Sequence, residues 1–221
     1  MSYNFNYISK HNSEVQRVYD ELQEIIREVR NTLRKEITFQ SKPVGSYSRN
    51  MITYDFKSNV GFDLDFNFDI QKTIKDFSAK EIHSKFLNAL NQEAFKYGYS
   101  SVEENTRVLT IKVKGKKNSR ILHSCDIAIV NNYSDDEGYD HQEYIRFDRK
   151  TSRCSWCEQA DGFYMLPEKI AWLKDTDDLW NELRDYYLYK KNTNPDPKEF
   201  HSRDLFGQAV HETCQRNGYY E

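Results

Sequence analysis

The chain has 221 residues, among them 16 Tyr, 13 Phe and 3 Trp but only 8 Gly and 4 Pro. That composition excludes disordered, collagenous and low-complexity classes, and the length suits one large domain or two small ones. Against 32 Lys and Arg stand 35 Asp and Glu, a formal net charge of −3. No global basic field exists to grip long nucleic acid, so any phosphate chemistry must rest on local charges or a metal.

Residues 13–37 carry apolar side chains at helical spacing, Val15, Val18, Leu22, Ile25, Ile26, Val29, Leu33 and Ile37. The period predicts an amphipathic helix whose stripe packs in the core. Ser13 with Gln16 fits a capping box at its start. A break is predicted at Ser41-Lys42-Pro43, followed by Val44-Gly45-Ser46-Tyr47-Ser48. Residues 61–70, GFDLDFNFDI, alternate strictly: Phe62, Leu64, Phe66, Phe68 and Ile70 face one way, Asp63, Asp65, Asn67 and Asp69 the other. That is a strand with an apolar back and an acidic front.

Ser78 and Glu81 repeat the capping-box pattern before a helix carrying Ile82, Phe86, Leu87, Leu90 and Phe95 and ending near Gly98. Arg107–Val113 and Ile121–Val130 read as two strands of an antiparallel hairpin, joined by the basic turn 114–120. That turn is either a solvated tip or a contact for phosphates or RNA. The polar, acidic stretch Asn131–Gly138 reads as a loop, and Glu143–Asp148 with Cys154–Gln159 as another hairpin. From Leu166 the pattern turns helical, with Pro167 in a first turn, Thr176 as a cap for Leu179, Trp180, Leu183 and Tyr187, and a last helix near Arg203–Arg216. The division predicted is an α/β body over 1–165 and a short helical C-terminal part over 166–221.

No run approaches the roughly 20 apolar residues of a membrane span, and the start, MSYNFNYISKHNS, lacks a secretory pattern. Cys125, Cys154, Cys157 and Cys214 then read as reduced thiols, and the expected location is cytoplasmic. Cys154 and Cys157 have C-x-x-C spacing, and His211 with Cys214 offers a second half of a zinc site. On a strand, however, residues three apart face opposite ways, which favours ordinary thiols.

The acidic front demands an explanation. Asp63 and Asp65 lie roughly 6–7 Å apart at Cα on one face, and like charges so placed repel unless a cation sits between them. Mg²⁺ typically takes one or two carboxylates plus substrate phosphates. The plain alternative is an exposed strand face with scattered acids. Two other features bear on this. Gly45-Ser46 lies where the backbone can come close to a phosphate and donate to it. Asp126 stands in the middle of the apolar strand ILHSCDIAIV, where a carboxylate is costly unless it meets a metal or a buried cation.

Gly45-Ser46, then Asp63-Leu64-Asp65, then Asp126, preceded by a helix, resembles the DNA polymerase β-like nucleotidyltransferase superfamily. GSYSRNMIT followed by FDLDFNF and CDIAIV is similar to the bacterial cyclic-oligonucleotide synthases, cyclic GMP-AMP synthase and oligoadenylate synthase. The resemblance covers residues 13 to about 150 and implies an α/β (α+β) nucleotidyltransferase-like fold, a mixed sheet flanked by helices. It further implies that Gly45 and Ser46 hold the triphosphate of an NTP such as ATP. Asp63, Asp65 and Asp126 would bind two Mg²⁺ ions, with Mn²⁺ as substitute, and Asp126 would help activate the attacking hydroxyl. Lys190 and Lys191 sit where the superfamily's helical part reaches the triphosphate, although cations closing a helix need no function.

The eighteen positions from Gly45 to Asp63 are long for the superfamily, and the helical part is short for a cyclic-oligonucleotide synthase, which leaves the product open. The expected activity is transfer of a nucleoside monophosphate from an NTP to an acceptor that the sequence does not name. An inactive relative that binds nucleotide or a partner protein, such as an antitoxin, is the alternative. A zinc-organised nucleic-acid module is a third, opposed by the net charge.

Overall fold

A computed structural model describes residues 3–55, 57, 61–114, 121–159, 166–196 and 200–219. They fall into two units, Tyr7–Gln159 and a second made of Met1–Asn6 with Ala160–Glu221.

Strand β1 (Asn6–Ile8), of which all but the first residue belong to the larger unit, pairs with β3 (Ile52–Tyr54) in a small two-stranded sheet. Helix α1 (Ser13–Leu33) buries Val15, Val18, Leu22, Ile25, Ile26, Val29 and Leu33. Its N-cap is Asn12, whose side chain accepts the Glu14 N–H at 2.9 Å, rather than Ser13. Asn caps as well as Ser and stands one residue earlier. Ile37 is not helical: it opens β2 (Ile37–Val44) and is fully buried there. Nor does Pro43 break the chain. β2 lies at the sheet edge, where one side has no ladder to lose and proline is tolerated.

After the single turn α2 (Gly45–Ser48) and β3 comes β4 (Phe62–Thr73), in which Phe62, Leu64, Phe66 and Phe68 are buried. Helix α3 (Ala79–Phe95) begins with the expected box, Ser78 accepting from Glu81 and the Glu81 carboxylate accepting from Ser78. Then follow β5 (Glu103–Glu104), β6 (Leu109–Lys114), β7 (Ile121–Ser134), β8 (Asp140–Asp148) and β9 (Arg153–Glu158). β6 and β7 form the expected antiparallel pair; residues 115–120 of the basic turn lie outside the described residues. β7 continues through Ser134, where a loop was predicted, because Val130–Ser134 pair with Tyr144–Asp140 of β8. Polar side chains there sit on a ribbon that water reaches from both faces, so alternation carries no signal.

The seven-stranded sheet runs β2-β4-β7-β6-β5, with β8 joined to β7 and β9 to β8. β4 and β7 are parallel and the other pairs antiparallel. The apolar backs of β4, β6 and β7 pack with the stripe of α1 and with Ile82, Phe86 and Leu90 of α3 in one core. The acidic front of β4 is the opposite face.

His123 lies on that core side, 2% exposed, stacked against Phe62 at 5.6 Å and 3.1 Å from the Tyr99 hydroxyl through Nε2. Its Nδ1 is buried with no hydrogen-bond partner among the described residues. Burial, followed by the nearby Arg17 charge, pushes its pKa down to about 4. The unfolded chain therefore binds the extra proton first as pH falls below about 6.5, and folding stability drops between there and pH 4. From pH 7 to pH 5 this one group should cost about 2 kcal/mol. Urea unfolding of wild type and His123→Leu at both pH values checks it: the variant's loss should be smaller by about that amount.

The second unit holds α4 (Leu166–Lys174), α5 (Asp177–Thr193) and α6 (Ser202–Arg216). Leu173, Leu183, Tyr187, Leu205, Phe206 and Val210 form its buried interior. Thr176 occupies the N-cap position of α5 but makes no side-chain cap bond. No helix among the described residues is long and apolar enough to cross a membrane.

Candidate active site

Strand registry decides which front-face side chains meet. Val44 of β2 stands opposite Asp65 of β4, Asp65 opposite Asp126 of β7, Asp126 opposite Thr110 of β6, and Thr110 opposite Glu103 of β5. One row thus crosses five strands with two aspartates at its centre. The adjoining row holds Asp63, Ser124 and Lys112. Asp63, Asp65 and Asp126 each present a carboxylate oxygen within 4.8 Å of the others, all three residues half-buried. They are the only such group of potential metal ligands gathered among the described residues.

Two of the acids are held by neighbouring hydroxyls. The Ser124 hydroxyl donates to Asp63 Oδ1 at 2.8 Å. The Thr110 hydroxyl donates to Asp126 Oδ1, and Asn105 donates to Thr110 Oγ1 at 2.8 Å. Arg149 donates in turn to Asn105. Burial, then the Asp63 charge, pushes the Asp126 pKa up to about 7, against the lowering effects of Thr110 and Lys112. The aspartates are visible in the sequence; Ser124, Thr110 and Lys112 were missed. The signal was the polar alternation of β6, Thr110 and Lys112 between Leu109, Ile111 and Val113, which marks a second strand sharing the acidic front.

Gly45 is placed against this group more tightly than a phosphate-binding role requires. Its φ is +64°, and a Cβ there would stand 2.2 Å from Asp65 Oδ2. A side chain is therefore excluded by the backbone conformation and by the Asp65 carboxylate. The turn is tied down behind: Ser48 Oγ donates to Gly45 O at 2.9 Å, Met51 N–H to Ser46 O at 2.8 Å, and Tyr47 stacks on Tyr19 of α1 at 4.5 Å. Ser46 follows Gly45 in this turn and is half-buried.

Lys190 and Lys191 lie in α5, in the second unit. Lys190 is paired with Glu212 at 2.9 Å and sits 4.9 Å from the Tyr186 ring centre. Lys191 lies over Phe5 at 4.3 Å. Cys154 and Cys157 belong to β9 and His211 and Cys214 to α6. No zinc-like Cys/His group forms among the described residues.

An all-oxygen set of carboxylates, their oxygens within 4.8 Å of one another, suits a hard divalent cation. Burial first, and the Asp63 charge second, favour the protonated form of Asp126 in the metal-free protein. The residues present fit such an ion.

No family model and no curated protein matches the chain. Solved structures do. The STING-associated c-di-GMP synthase CdnE of Capnocytophaga granulosa is similar at TM-score 0.54 and 14% identity, over 91% of this chain and 61% of that one. The Vibrio cholerae dinucleotide cyclase DncV, in complex with ATP and GTP, is similar at TM-score 0.53 and 13% identity, over 91% and 54%. Rhodothermus marinus CdnE, a c-UMP-AMP synthase, gives 0.50 and 12%, over 86% and 69%. The chain spans 54% to 69% of those chains. At such identity the likeness is one of fold: the chain has the fold that these synthases share over the matched residues.

Proposed function

We propose that the chain is a metal-dependent nucleotidyltransferase, moving a nucleoside monophosphate from an NTP to a hydroxyl acceptor with release of pyrophosphate. The observation that carries this reading is the convergence of Asp63, Asp65 and Asp126 at the Gly45 turn. In it, the three carboxylates hold two Mg²⁺ ions, or Mn²⁺ in their place. When bound, such a pair stabilises charge on the attacking and leaving oxygens of an in-line displacement.

The chain's own residues supply position and proton chemistry. Gly45 and Ser46 hold the triphosphate with backbone and hydroxyl donors beside Asp65. Ser124 and Thr110 fix the Asp63 and Asp126 carboxylates against rotation. Asp126, beside Asp65 in the strand register, is the group proposed to help activate the acceptor hydroxyl. The resemblance extends the reading to cyclic or linear oligonucleotide products in the cytoplasm.

The test is pyrophosphate release from each of the four NTPs with Mg²⁺ or Mn²⁺, with the products identified by mass spectrometry. At least one NTP should be consumed, only with metal. No release with any NTP, together with no thermal shift on adding Mg²⁺ and NTP, would overturn the enzyme reading in favour of an inactive binding protein.

A second expectation concerns the hydroxyl that holds Asp126. Thr110→Val keeps the shape but removes the donor, leaving Asp126 free to rotate and Asn105 without its acceptor. Turnover should fall by roughly tenfold to a hundredfold, the usual cost of losing a group that orients a metal ligand. Thr110→Ser should restore most of it. Steady-state rates of the two variants against wild type decide the matter.

A further inference from the structure

Arg149 stands outside the acidic site, exposed in the turn between β8 and β9. The residues around it fix that turn. Asp148 Oδ1 accepts the Lys150 N–H at 2.8 Å, an aspartate holding the backbone two residues on. The Phe147 N–H donates to Thr106 O at 2.9 Å, which anchors the end of β8 on the loop of the β5–β6 hairpin. Arg149 reaches the same hairpin with two donors of its guanidinium: Nε donates to Glu104 O at 3.0 Å and Nη2 to Asn105 Oδ1. From there the contacts run inward. Asn105 Nδ2 donates to Thr110 Oγ1 at 2.8 Å, and the buried Thr110 hydroxyl donates to Asp126 Oδ1.

The chemistry of these groups gives the chain of bonds one direction. A guanidinium only donates, so Asn105 turns its oxygen to Arg149 and its NH2 to Thr110. One lone pair of the Thr110 oxygen is then taken, and its single proton is left for Asp126. With the Asn105 amide flipped, every bond inward of Arg149 fails or reverses. The NH2 would face the guanidinium, the Asn105 oxygen would take the Thr110 proton, and a Thr110 lone pair would face the Asp126 carboxylate. Arg149 is the group that forbids the flip.

We propose that Arg149 is a remote positioning residue of the acidic triad. Through Asn105 it commits the Thr110 proton to Asp126 Oδ1, which stops that carboxylate rotating and leaves its other oxygen for a divalent cation. That the triad takes a cation rests on the metal-dependent reading above. The plain alternative is that Arg149 only ties two hairpins together.

The test is Mn²⁺ binding to the intact protein without nucleotide, read from the electron paramagnetic resonance of free Mn²⁺. Asp63→Asn, which should lose the binding, assigns it to the triad. Simple charge and the relay predict opposite signs. Arg149→Ala removes a positive charge and Asn105→Asp adds a negative one, so charge alone would tighten Mn²⁺ binding. With the relay, both weaken it. Arg149→Ala should cost about tenfold, the low end for a group that orients a metal ligand, because the amide is free to flip. Asn105→Asp should cost at least as much, because a carboxylate there still pairs with Arg149 but takes the Thr110 proton. That variant keeps the hairpins tied, so its loss is not a loosening of the turn. In a Thr110→Val background neither change should weaken binding further. In an active protein, turnover lost in Arg149→Ala should return as Mg²⁺ is raised, which general damage to the fold would not allow. Unchanged or tighter Mn²⁺ binding in either variant overturns the inference even if NTP turnover is found. A wild type that takes up no Mn²⁺ overturns it too, and the enzyme reading is then judged by turnover alone. Mn²⁺ binding that depends on Arg149 without turnover of any NTP keeps the relay and discards the enzyme reading.

Discussion

Asp63→Asn and Asp65→Asn should each lower NTP turnover by about three orders of magnitude, as when a preorganised charge-stabilising group is lost, while the metal-free protein stays folded. Each change removes an anionic ligand and keeps the side-chain shape. The three carboxylate oxygens lie within 4.8 Å, and without a cation that closeness is a strain on the fold. Asp126→Asn should show this most clearly. The folded state holds the Asp126 pKa up at about 7, while the unfolded chain titrates near 3.8, so the folded protein binds the extra proton between those values. Stability of the metal-free protein then falls as pH rises from about 4 to 7, by roughly 2–4 kcal/mol from this group. The Asn variant keeps the Thr110 hydrogen bond and is spared the loss. Its melting temperature at pH 7 should exceed wild type by on the order of 5–10 °C. Adding Mg²⁺ should stabilise wild type and leave the variants unmoved. Differential scanning at pH 5 and pH 7, with and without Mg²⁺, separates the readings: a scattered surface acid predicts no gain on substitution and no response to metal. Gain of stability with loss of function is the usual mark of an active site.

Gly45→Val should damage both stability and activity. From sequence, Gly45 was assigned to close phosphate approach, which predicts weaker NTP binding on an unchanged fold. The structure adds two costs. Its φ of +64° lies in the left-handed region, about 1–2 kcal/mol for an ordinary residue and worse for a β-branched one. The new Cβ would also fall 2.2 Å from Asp65 Oδ2, so the carboxylate must leave its place. Together these should cost about 2–4 kcal/mol and on the order of 5–15 °C in melting temperature. A double-mutant cycle resolves them. In an Asp65→Ala background the cost of Gly45→Ala should shrink to the backbone part, since the clashing oxygen is gone. Additive costs would mean that Gly45 does not press on Asp65.

Much of this was legible in the residues. The alternation of Phe62–Ile70 placed the apolar back against the helices and the acids on the front, because period two is a local property of an extended chain. The Ser78–Glu81 box and the stripe of α1 likewise needed only neighbours in sequence. The boundaries that went astray were those where a local pattern fits two structures. Ile37 continues a helical spacing yet starts a strand, Asn12 takes the cap offered to Ser13, and Asn131–Ser134 look like loop but pair with β8. Pro43 is a strand residue because β2 is an edge, and being an edge is a property of the sheet alone.

The site divides the same way. That Asp63 and Asp65 share a face follows from sequence; that Asp126 stands beside Asp65 follows only from the parallel register of β4 and β7, strands separated by a helix and two further strands. The same register brings Thr110 to Asp126 and Ser124 to Asp63, and the bend of the chain after Val44 brings Gly45 to Asp65. Sequence alone determined which residues carry charge and which way each strand turns them. Tertiary structure decided which of those charges meet, because repulsion, desolvation and hydrogen bonding depend on distances that chain-remote pairing creates.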